Sequence, residues 1–229
     1  MYELYIANKN YSSWSLRPWV LMRERAIPFT ERLVPFEQGS SWEKYRKFSP
    51  SGRVPCLVDG ETHVWDSLAI AEYLAERNPG LWPEDARARA FARSASAEMH
   101  SGFAVLRNRC SMNCGVRVRL HETEPALAKD IARIDELWSE GLQRFGGPFL
   151  AGKAFTVVDA FFAPVAFRVQ TYGLTLSAEP AAYAARLLAL PAMRAWESEA
   201  LTETFRDEGH EEEVRRAGTW LEDLRAPPG

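Results

Sequence analysis

The sequence predicts a small α/β domain over residues 1–80 and a larger all-α domain over residues 86–229. Two observations lead to this prediction. The first eighty residues alternate short β-favouring segments with amphipathic helical ones, whereas the patterning after Ala86 is helical. The breaker Asn78-Pro79-Gly80 separates the two patterns. A chain of 229 residues is long enough for two domains of these sizes.

The elements of the first domain follow from periodicity and turn residues. Asp59-Gly60 between two β-favouring runs predicts a tight hairpin, and Asp66-Ser67 is typical of a helix N-cap. The predicted elements are a strand at 2–7, a helix at 12–25, a strand at 29–34, a short helix at 42–48, strands at 55–58 and 62–65, and a helix from residue 66. This order is that of a thioredoxin-like domain.

The second domain is predicted to contain helices and no strand. The expected helices span residues 86–109, 125–145, 157–172, 180–188, 191–204 and about 211–224. Thr156 and Asp159 form a capping-box pattern at the start of the third of these helices, and we interpret that pattern as structural. Residues 210–213 (HEEE) are interpreted as the solvated start of the last helix.

Composition argues against several classes of protein. The 28 basic and 31 acidic side chains leave a net charge of −3, which disfavours a nucleic-acid-binding protein. No run approaches the ~20 apolar residues of a membrane helix, and the N-terminus does not resemble a signal peptide. Three cysteines, an odd number, indicate a reducing, cytoplasmic location. We also expect no metal, because Cys110, Cys114 and His121 do not complete a four-ligand zinc site.

Charge is unevenly distributed along the chain. Residues 86–196 carry 14 basic and 9 acidic side chains, a local charge of +5, whereas residues 197–223 carry 3 and 10, a local charge of −7. Two interpretations stay open at this point. The charges belong to a solvated face and an acidic final helix, or the basic segment forms a cleft wall that attracts an anionic small molecule.

Three corners between a strand and a helix carry the candidate chemistry. Ser12 and Ser13 stand at the start of the first helix, where free N–H groups favour an anion, although one serine there can simply cap the helix. Val54-Pro55 begins a strand, with the isomer of its peptide bond undecided. Asp66-Ser67 has the same two interpretations, as a helix cap or as a site for a ligand's charged groups.

Taken together, these corners resemble motifs of the glutathione transferase superfamily. Residues 50–60 (PSGRVPCLVDG) are similar to its N-P-x-G-x-V-P-x-L-x-x-x-G motif, and residues 66–74 (DSLAIAEYL) to its E/Q-S-x-A-I-x-x-Y-L motif. Gly152 with the Thr156–Asp159 pattern resembles its G-x-x-x-[ST]-x-x-D element. The likeness spans essentially the whole chain.

Within the superfamily, residues 12–17 (SSWSLR) are most similar to the S-S-C-S-x-R string of the serine-type zeta class, which includes maleylacetoacetate isomerase. Trp14 replaces the cysteine of that string, and Arg53 and Asp66 each stand where the zeta pattern has glutamine. The resemblance implies a glutathione transferase fold, a homodimer, glutathione as co-substrate and a serine that contacts its sulfur.

The resemblance also implies roles for individual residues. Ser12 matches the first serine of the motif and is the leading donor to the sulfur, with Ser13 second. Tyr5 and Tyr11 are further alternatives, because other classes use a tyrosine near the end of the first strand. The cofactor-binding residues by the same carry-over are Arg53, Val54, Pro55, Asp66 and Ser67.

The energy needed to activate the sulfur is modest. Moving a thiol pKa from ~8.5 to ~6.5 requires about 2.7 kcal/mol in favour of the thiolate. One hydrogen bond to a charged group supplies about 1.5–3 kcal/mol, and a helix N-terminus about 0.3–1 kcal/mol. One serine at the start of the first helix is therefore sufficient.

The electrophile is expected between this corner and the helical domain. Its predicted pocket residues are Trp14, His100, Phe103 and Arg107, the last three lying on one face of a continuous helix over residues 86–109. The predicted reaction is attack of the glutathione thiolate on a small electrophile, as in detoxification. The alternatives are a cis–trans isomerase of maleylacetoacetate type and a non-catalytic binding protein with this fold.

Overall fold

The computed structural model describes residues 1–228 of the chain. Its first eighty residues form a four-stranded sheet and three helices in the predicted order. These elements are β1 (Tyr2–Ile6), α1 (Ser13–Glu24), β2 (Phe29–Leu33), α2 (Trp42–Tyr45), β3 (Cys56–Asp59), β4 (Thr62–Trp65) and α3 (Ser67–Ala75).

The sheet has the strand order β2-β1-β3-β4. Strand β1 pairs in parallel with β2, with Tyr2 opposite Phe29, and in antiparallel fashion with β3. Strands β3 and β4 form the predicted hairpin, and Gly60 in its turn has a φ of +62°, a conformation that glycine adopts without steric cost. Because β1 and β3 are central, their ends bring the first helix and the hairpin to neighbouring positions.

The remainder of the described chain is mainly helical. Its elements are α4 (Ala86–Ser101), α5 (Ala104–Arg109), β5 (Val116–Leu120), α6 (Pro125–Phe145), α7 (Val157–Tyr172), α8 (Ala178–Leu188), α9 (Pro191–Thr202), α10 (Glu208–Ala217) and β6 (Gly218–Asp223). The predicted combination of a thioredoxin-like α/β part and a helical part is confirmed. Within residues 1–228, no helix is both long enough and apolar enough to cross a membrane.

Two details of the helical part differ from the prediction. Strands β5 and β6 pair in antiparallel fashion, so the expectation that no strand follows Ala86 is wrong. The helix predicted over residues 86–109 is interrupted, because α4 ends at Ser101 and Phe103 adopts a φ of +54° before α5 begins. The last helix accordingly ends at Ala217 rather than near residue 224, and the chain continues as β6.

Helix α7 forms the centre of the helical part and packs against α1. The predicted capping box is present at its start. The fully buried Asp159 carboxylate accepts hydrogen bonds from the Thr156 and Leu150 amides and from the Tyr183 hydroxyl. Burial raises the pKa of Asp159 to about 6. This carboxylate therefore ties three segments of the helical part together.

Candidate functional site

Two neighbouring cavities lie where the corners of the first eighty residues face the helical part. The serine cavity, of about 710 Å³, is lined by Ser12 and Ser13 together with residues of α5, α7 and α10. The Pro55 cavity, of about 570 Å³, is lined mainly by the loop before β3 and the start of α3. Trp14, Arg53 and Val54 line both, so the two cavities adjoin at these residues.

The two serines stand at the N-terminus of α1, where the backbone N–H groups are unpaired by the helix. Ser12 is nearly buried, and its hydroxyl lies 2.8 Å from the Ser15 hydroxyl, to which it donates. The Ser15 hydroxyl in turn accepts from the Ala7 amide at 3.3 Å. Ser13 is half-buried. Both predicted serines therefore line the same cavity.

The two tyrosine alternatives for the sulfur contact have hydroxyls directed elsewhere. The buried Tyr11 hydroxyl donates to the Glu211 carboxylate at 2.8 Å, and burial raises the pKa of Tyr11 far above its usual value. The Tyr5 hydroxyl lies 3.5 Å from the Glu3 carboxylate, and Tyr5 lines neither cavity. This geometry disfavours both tyrosines as donors to a sulfur.

The predicted cofactor residues gather around the Pro55 cavity. Arg53, Val54, Pro55, Asp66 and Ser67 all line it, and the Val54–Pro55 peptide bond is cis, which settles the isomer that the sequence left open. Asp66 caps α3 by accepting from the Leu68 amide at 2.8 Å, yet its side chain is largely exposed at the cavity. Asp66 can therefore cap α3 and line the cavity at the same time.

His100 lies at the Pro55 cavity, at the end of α4. Its Nε2 is 3.4 Å from the Asp66 carboxylate, and its ring meets the Trp14 ring edge-on at 5.3 Å between centroids. Burial lowers the pKa of His100, an effect that the Asp66 carboxylate opposes and that Arg17 and Arg107 reinforce. The side chain therefore joins the helical part to the start of α3.

Arg17 and Arg107 lie against Trp14, and Arg168 completes a cluster of three arginines that has no acidic partner among the described residues. The Arg17 guanidinium stacks on Trp14 at 4.2 Å from the ring centroid, Arg107 lies 5.4 Å from the same centroid, and Arg168 lines the serine cavity with Arg107. Within residues 1–228, none of the three forms a salt bridge. The Nε atoms of Arg17 and Arg107 are buried and have no partner in that part of the chain.

Burial and mutual repulsion lower the pKa values of two of these arginines. Burial, followed by repulsion from Arg168 and Arg107, lowers the pKa of Arg17 to about 9, and burial lowers that of Arg168 to about 10. Among the described residues, Arg168 donates only to backbone carbonyls, those of Cys110 and Pro164. Arg107 and Arg168 on the wall of the serine cavity, with the buried Arg17 behind Trp14, make this region favourable for an anion.

Sequence reasoning did not identify Arg17 or Arg168 as site residues. A signal for Arg168 was available, since it is the only Lys or Arg in α7, whose residues are otherwise mainly apolar. Phe103, by contrast, was predicted to line the pocket, and the structure does not place it there. It is buried in the core and lines neither cavity, because the break before α5 turns it away from the face that carries His100.

The interpretation of residues 210–213 as a solvated helix start is also wrong in part. His210 lines the serine cavity, and Glu211 is buried against Arg225 at 2.6 Å. The sequence pattern could not reveal this, because Arg225 comes from the segment after β6. Tyr11, Glu211 and Arg225 instead form one buried network next to Ser12.

Thiol and metal chemistry receive no support from the described residues. Cys56, Cys110 and Cys114 are buried and unpaired, and burial raises the pKa of Cys56 to about 11 and that of Cys110 to about 12. Between residues 1 and 228, no three His, Cys, Asp or Glu side chains are grouped so that they could hold a metal ion. The polar groups at the two cavities are hydroxyls, amides, carboxylates, imidazoles and guanidiniums.

Comparison with known proteins gives relatives across most of the chain. The family model for the N-terminal domain of glutathione S-transferases matches residues 11–77. Glutathione S-transferase Z1 of Arabidopsis thaliana is 30% identical over 169 residues, which cover 68% of this chain and 74% of that protein. A probable maleylacetoacetate isomerase of Caenorhabditis elegans is 27% identical over 187 residues, 77% of this chain and 83% of that protein.

Solved structures agree with the fold. A theta class glutathione S-transferase from Xanthomonas axonopodis pv. citri with glutathione bound has a TM-score of 0.62 and 25% identity, over 88% of this chain and 98% of that one. A glutathione transferase homolog from Burkholderia with bound glutathione has a TM-score of 0.66 and 22% identity, over 87% and 97% of the two chains.

Proposed function

The chain belongs to the glutathione S-transferase family, and we propose that it activates glutathione for attack on a small electrophile. Glutathione occupies the Pro55 cavity and extends its sulfur towards Ser12, while the electrophile enters the serine cavity. One observation carries this proposal: the two cavities adjoin at Trp14, Arg53 and Val54, beside the N-terminus of α1. Residues 1–80 then serve as the glutathione domain, and residues 86–229 complete the electrophile pocket.

Each end of glutathione has a partner of suitable charge around the Pro55 cavity. The Asp66 carboxylate suits the γ-glutamyl ammonium, and the Ser67 hydroxyl with the N-terminus of α3 suits the γ-glutamyl carboxylate. The backbone of Val54 suits the cysteinyl amide, and the exposed Arg53 suits the second carboxylate. In the proposed pose the cysteinyl sulfur lies at the boundary between the two cavities.

Ser12 can donate to the sulfur because Ser15 stands behind it. In the unliganded geometry the Ser12 hydroxyl donates to Ser15 at 2.8 Å. Since a hydroxyl both donates and accepts, Ser15 can reverse this bond and donate to Ser12, which frees the Ser12 proton for a thiolate. The Ala7 amide holds the Ser15 oxygen in place. Ser12 is therefore the leading catalytic residue, and Ser13 the second.

A second candidate function, glutathione-dependent cis–trans isomerisation of a maleyl-type acid, is favoured by the arginine cluster. Arg107 and Arg168 line the serine cavity and have no acidic partner within residues 1–228. A carboxylate-bearing substrate would supply that partner. In this reaction the thiolate adds to a double bond, the bond rotates, and the thiolate leaves again.

We further propose a homodimer located in the cytoplasm, with no nucleic-acid partner. The family resemblance supports the homodimer. The three unpaired, buried thiols suit a reducing compartment. The net charge of −3 suits a protein that binds small molecules rather than nucleic acid.

The proposal is tested by replacing each serine with alanine. We expect Ser12→Ala to lower kcat/KM for thiol conjugation by about 100-fold, corresponding to the ~2.7 kcal/mol of thiolate stabilisation. Ser13→Ala is expected to lower it less than 10-fold. The ultraviolet absorbance of the bound thiolate, titrated against pH, should show a raised glutathione pKa in Ser12→Ala alone.

The outcomes separate the alternatives. A larger effect of Ser13→Ala moves the sulfur contact to that residue. The non-catalytic alternative would be supported if the wild-type protein binds glutathione but turns over no electrophile. In that case neither serine variant should change the thiolate absorbance of bound glutathione. Turnover of a maleyl-type acid to its trans isomer, without a stable conjugate, would identify the isomerase.

A further inference from the structure

His210 comes from the C-terminal part of the chain and lies on the wall of the serine cavity. Its ring contacts three neighbours, which are Tyr11, Phe36 and Asp207. It lies in the first turn of α10 and lines the cavity together with Ser12. Its ring stacks on Tyr11 at 5.1 Å between centroids and lies 5.5 Å from the Phe36 ring. Its Nδ1 is 2.7 Å from the Asp207 carboxylate.

The contact with Asp207 determines which nitrogen of the neutral ring is available. A carboxylate only accepts hydrogen bonds, so Nδ1 carries the proton and Nε2 carries the lone pair. Within residues 1–228, Nε2 has no hydrogen-bond partner, whereas the Asp207 oxygen also accepts from the His210 amide at 3.1 Å. The oriented imidazole therefore presents an unused acid–base nitrogen beside the cavity.

The support behind the ring is a buried hydrogen-bond network. The Tyr11 hydroxyl donates to Glu211 at 2.8 Å, and Arg225 pairs with Glu211 at 2.6 Å. Because Tyr11 precedes Ser12 and Glu211 follows His210, this network links the positions of the serine and the imidazole. Such a link suits two groups that act on one reacting pair.

We infer that His210, oriented by Asp207, is a further catalytic residue that transfers a proton to the electrophile. This inference rests on the proposed function. When glutathione adds to an α,β-unsaturated carbonyl compound, the thiol releases its proton and the carbon–sulfur bond forms. The electron pair of the double bond moves onto the carbonyl to give an enolate.

The proton then has a defined route. Nε2 of His210 takes up the proton that the thiol released, through water in the cavity, and delivers it to the enolate. The thiol loses one proton, the product gains one, and His210 returns to its neutral form. Substitution of an aryl chloride needs no such step, because chloride leaves as an anion.

The test compares these two electrophiles in His210→Gln. We expect kcat for a simple enone to fall by about 100-fold, the lower end of the usual contribution of a general acid or base. The rate for a nitro-activated aryl chloride should change less than 3-fold, and the thiolate absorbance of bound glutathione should not change. Added imidazole should restore part of the enone activity in His210→Ala.

Two further variants sharpen the result. Asp207→Asn keeps a good N-cap residue but no longer supplies a carboxylate to Nδ1, so we expect an enone-specific loss of about 10-fold. His121→Gln, at an exposed histidine after β5, should leave both rates unchanged.

The inference is overturned by equal losses for both electrophiles, by no loss for the enone, or by a wild-type protein that accepts only the aryl chloride. Failure of imidazole to restore enone activity in His210→Ala also counts against it. Wild-type protein that turns over neither electrophile marks instead the failure of the proposed function.

Discussion

Two groups of charged side chains, each with buried members, lie near Ser12, and they differ in how they are paired. On one side, Lys9 contacts the Glu31 and Glu199 carboxylates, and Arg225 pairs with Glu211. On the other side, the cluster of Arg17, Arg107 and Arg168 forms no salt bridge among the described residues. Both groups are close to the same short segment of chain.

The difference indicates two uses of buried charge. Removing one member of a buried pair leaves the other charge uncompensated, so such a pair binds segments together without needing any ligand. A buried cation without a partner destabilises the unliganded protein and gains stability only when an anion arrives. We therefore expect the paired group to hold the loop before Ser12, and the unpaired cluster to bind an anionic group.

The largest expected effect comes from breaking the paired group. Arg225→Met should lower the free energy of unfolding by about 3–5 kcal/mol, because Glu211 remains buried without its partner. Urea unfolding at pH 7 measures this loss. Replacing both residues, Arg225→Met with Glu211→Leu, should recover part of it.

A matched control for this variant is Arg216→Met, which breaks an exposed pair with Glu212. Its unfolding free energy should change by less than about 0.5 kcal/mol. A similar, small change in both variants would contradict the assignment of Arg225 to a stabilising buried pair.

The next effect concerns the unpaired cluster. Arg107→Gln should lower kcat/KM for a carboxylate-bearing electrophile by about 10–100-fold, since one charge-assisted hydrogen bond is worth about 1.5–3 kcal/mol. The rate for the neutral ester of the same electrophile should stay within 3-fold. The unfolding free energy should change by less than about 1 kcal/mol, because no carboxylate loses a partner.

Arg109→Gln provides the control on the same helix. Arg109 pairs with Glu124 at 2.9 Å on the exposed side of α5, away from the serine cavity. Both electrophiles should react at wild-type rates in this variant. Equal losses of kcat/KM for the acid and the ester in Arg107→Gln would show that Arg107 does not bind the carboxylate of the substrate.

The smallest expected effect is the pH dependence of the unfolding free energy that arises from Asp159. This buried carboxylate has neutral hydrogen-bond donors rather than a cation as its partners. Burial raises the pKa of Asp159 from 3.8 to about 6, so the folded state binds a proton more tightly than the unfolded state. The contribution of this group to the unfolding free energy therefore falls as pH rises from about 4 through about 6, and the fall between about pH 5 and about pH 6 is about 1 kcal/mol.

Urea unfolding of wild type and Asp159→Asn across this pH range checks the sign. The variant is less stable overall, because its amide nitrogen cannot accept from Thr156. The difference between the two curves should shrink as pH rises through 6. A constant difference would place the pKa of Asp159 outside this window.

Local sequence patterns predicted much of the fold and the residues that line the Pro55 cavity. The Asp59-Gly60 hairpin and the caps at Asp66 and Thr156 depend on residues within a few positions of one another. The pairing of β5 with β6 could not be predicted in the same way. Its Val-Arg alternation is typical of a strand, but the partner lies almost a hundred residues later.

Local patterns also failed to predict the helical-domain residues that line the serine cavity. Phe103 was misplaced because a positive φ at a phenylalanine has no sequence signal, and this break redirects the helix. Arg168 and His210 were missed because their neighbours come from distant segments. Their chemistry depends on distances between elements, which periodicity does not contain.

The sequence by itself determined the order of the elements, the helix caps and the identity of the groups at each strand-to-helix corner. It did so because these features arise from interactions along a short stretch of chain. Only the tertiary structure decided that Tyr11 donates to Glu211, that Arg107 and Arg168 line one cavity, and that His210 lines the same cavity as Ser12. The physical reason is that burial and charge pairing are properties of the packed chain, where residues two hundred positions apart become neighbours.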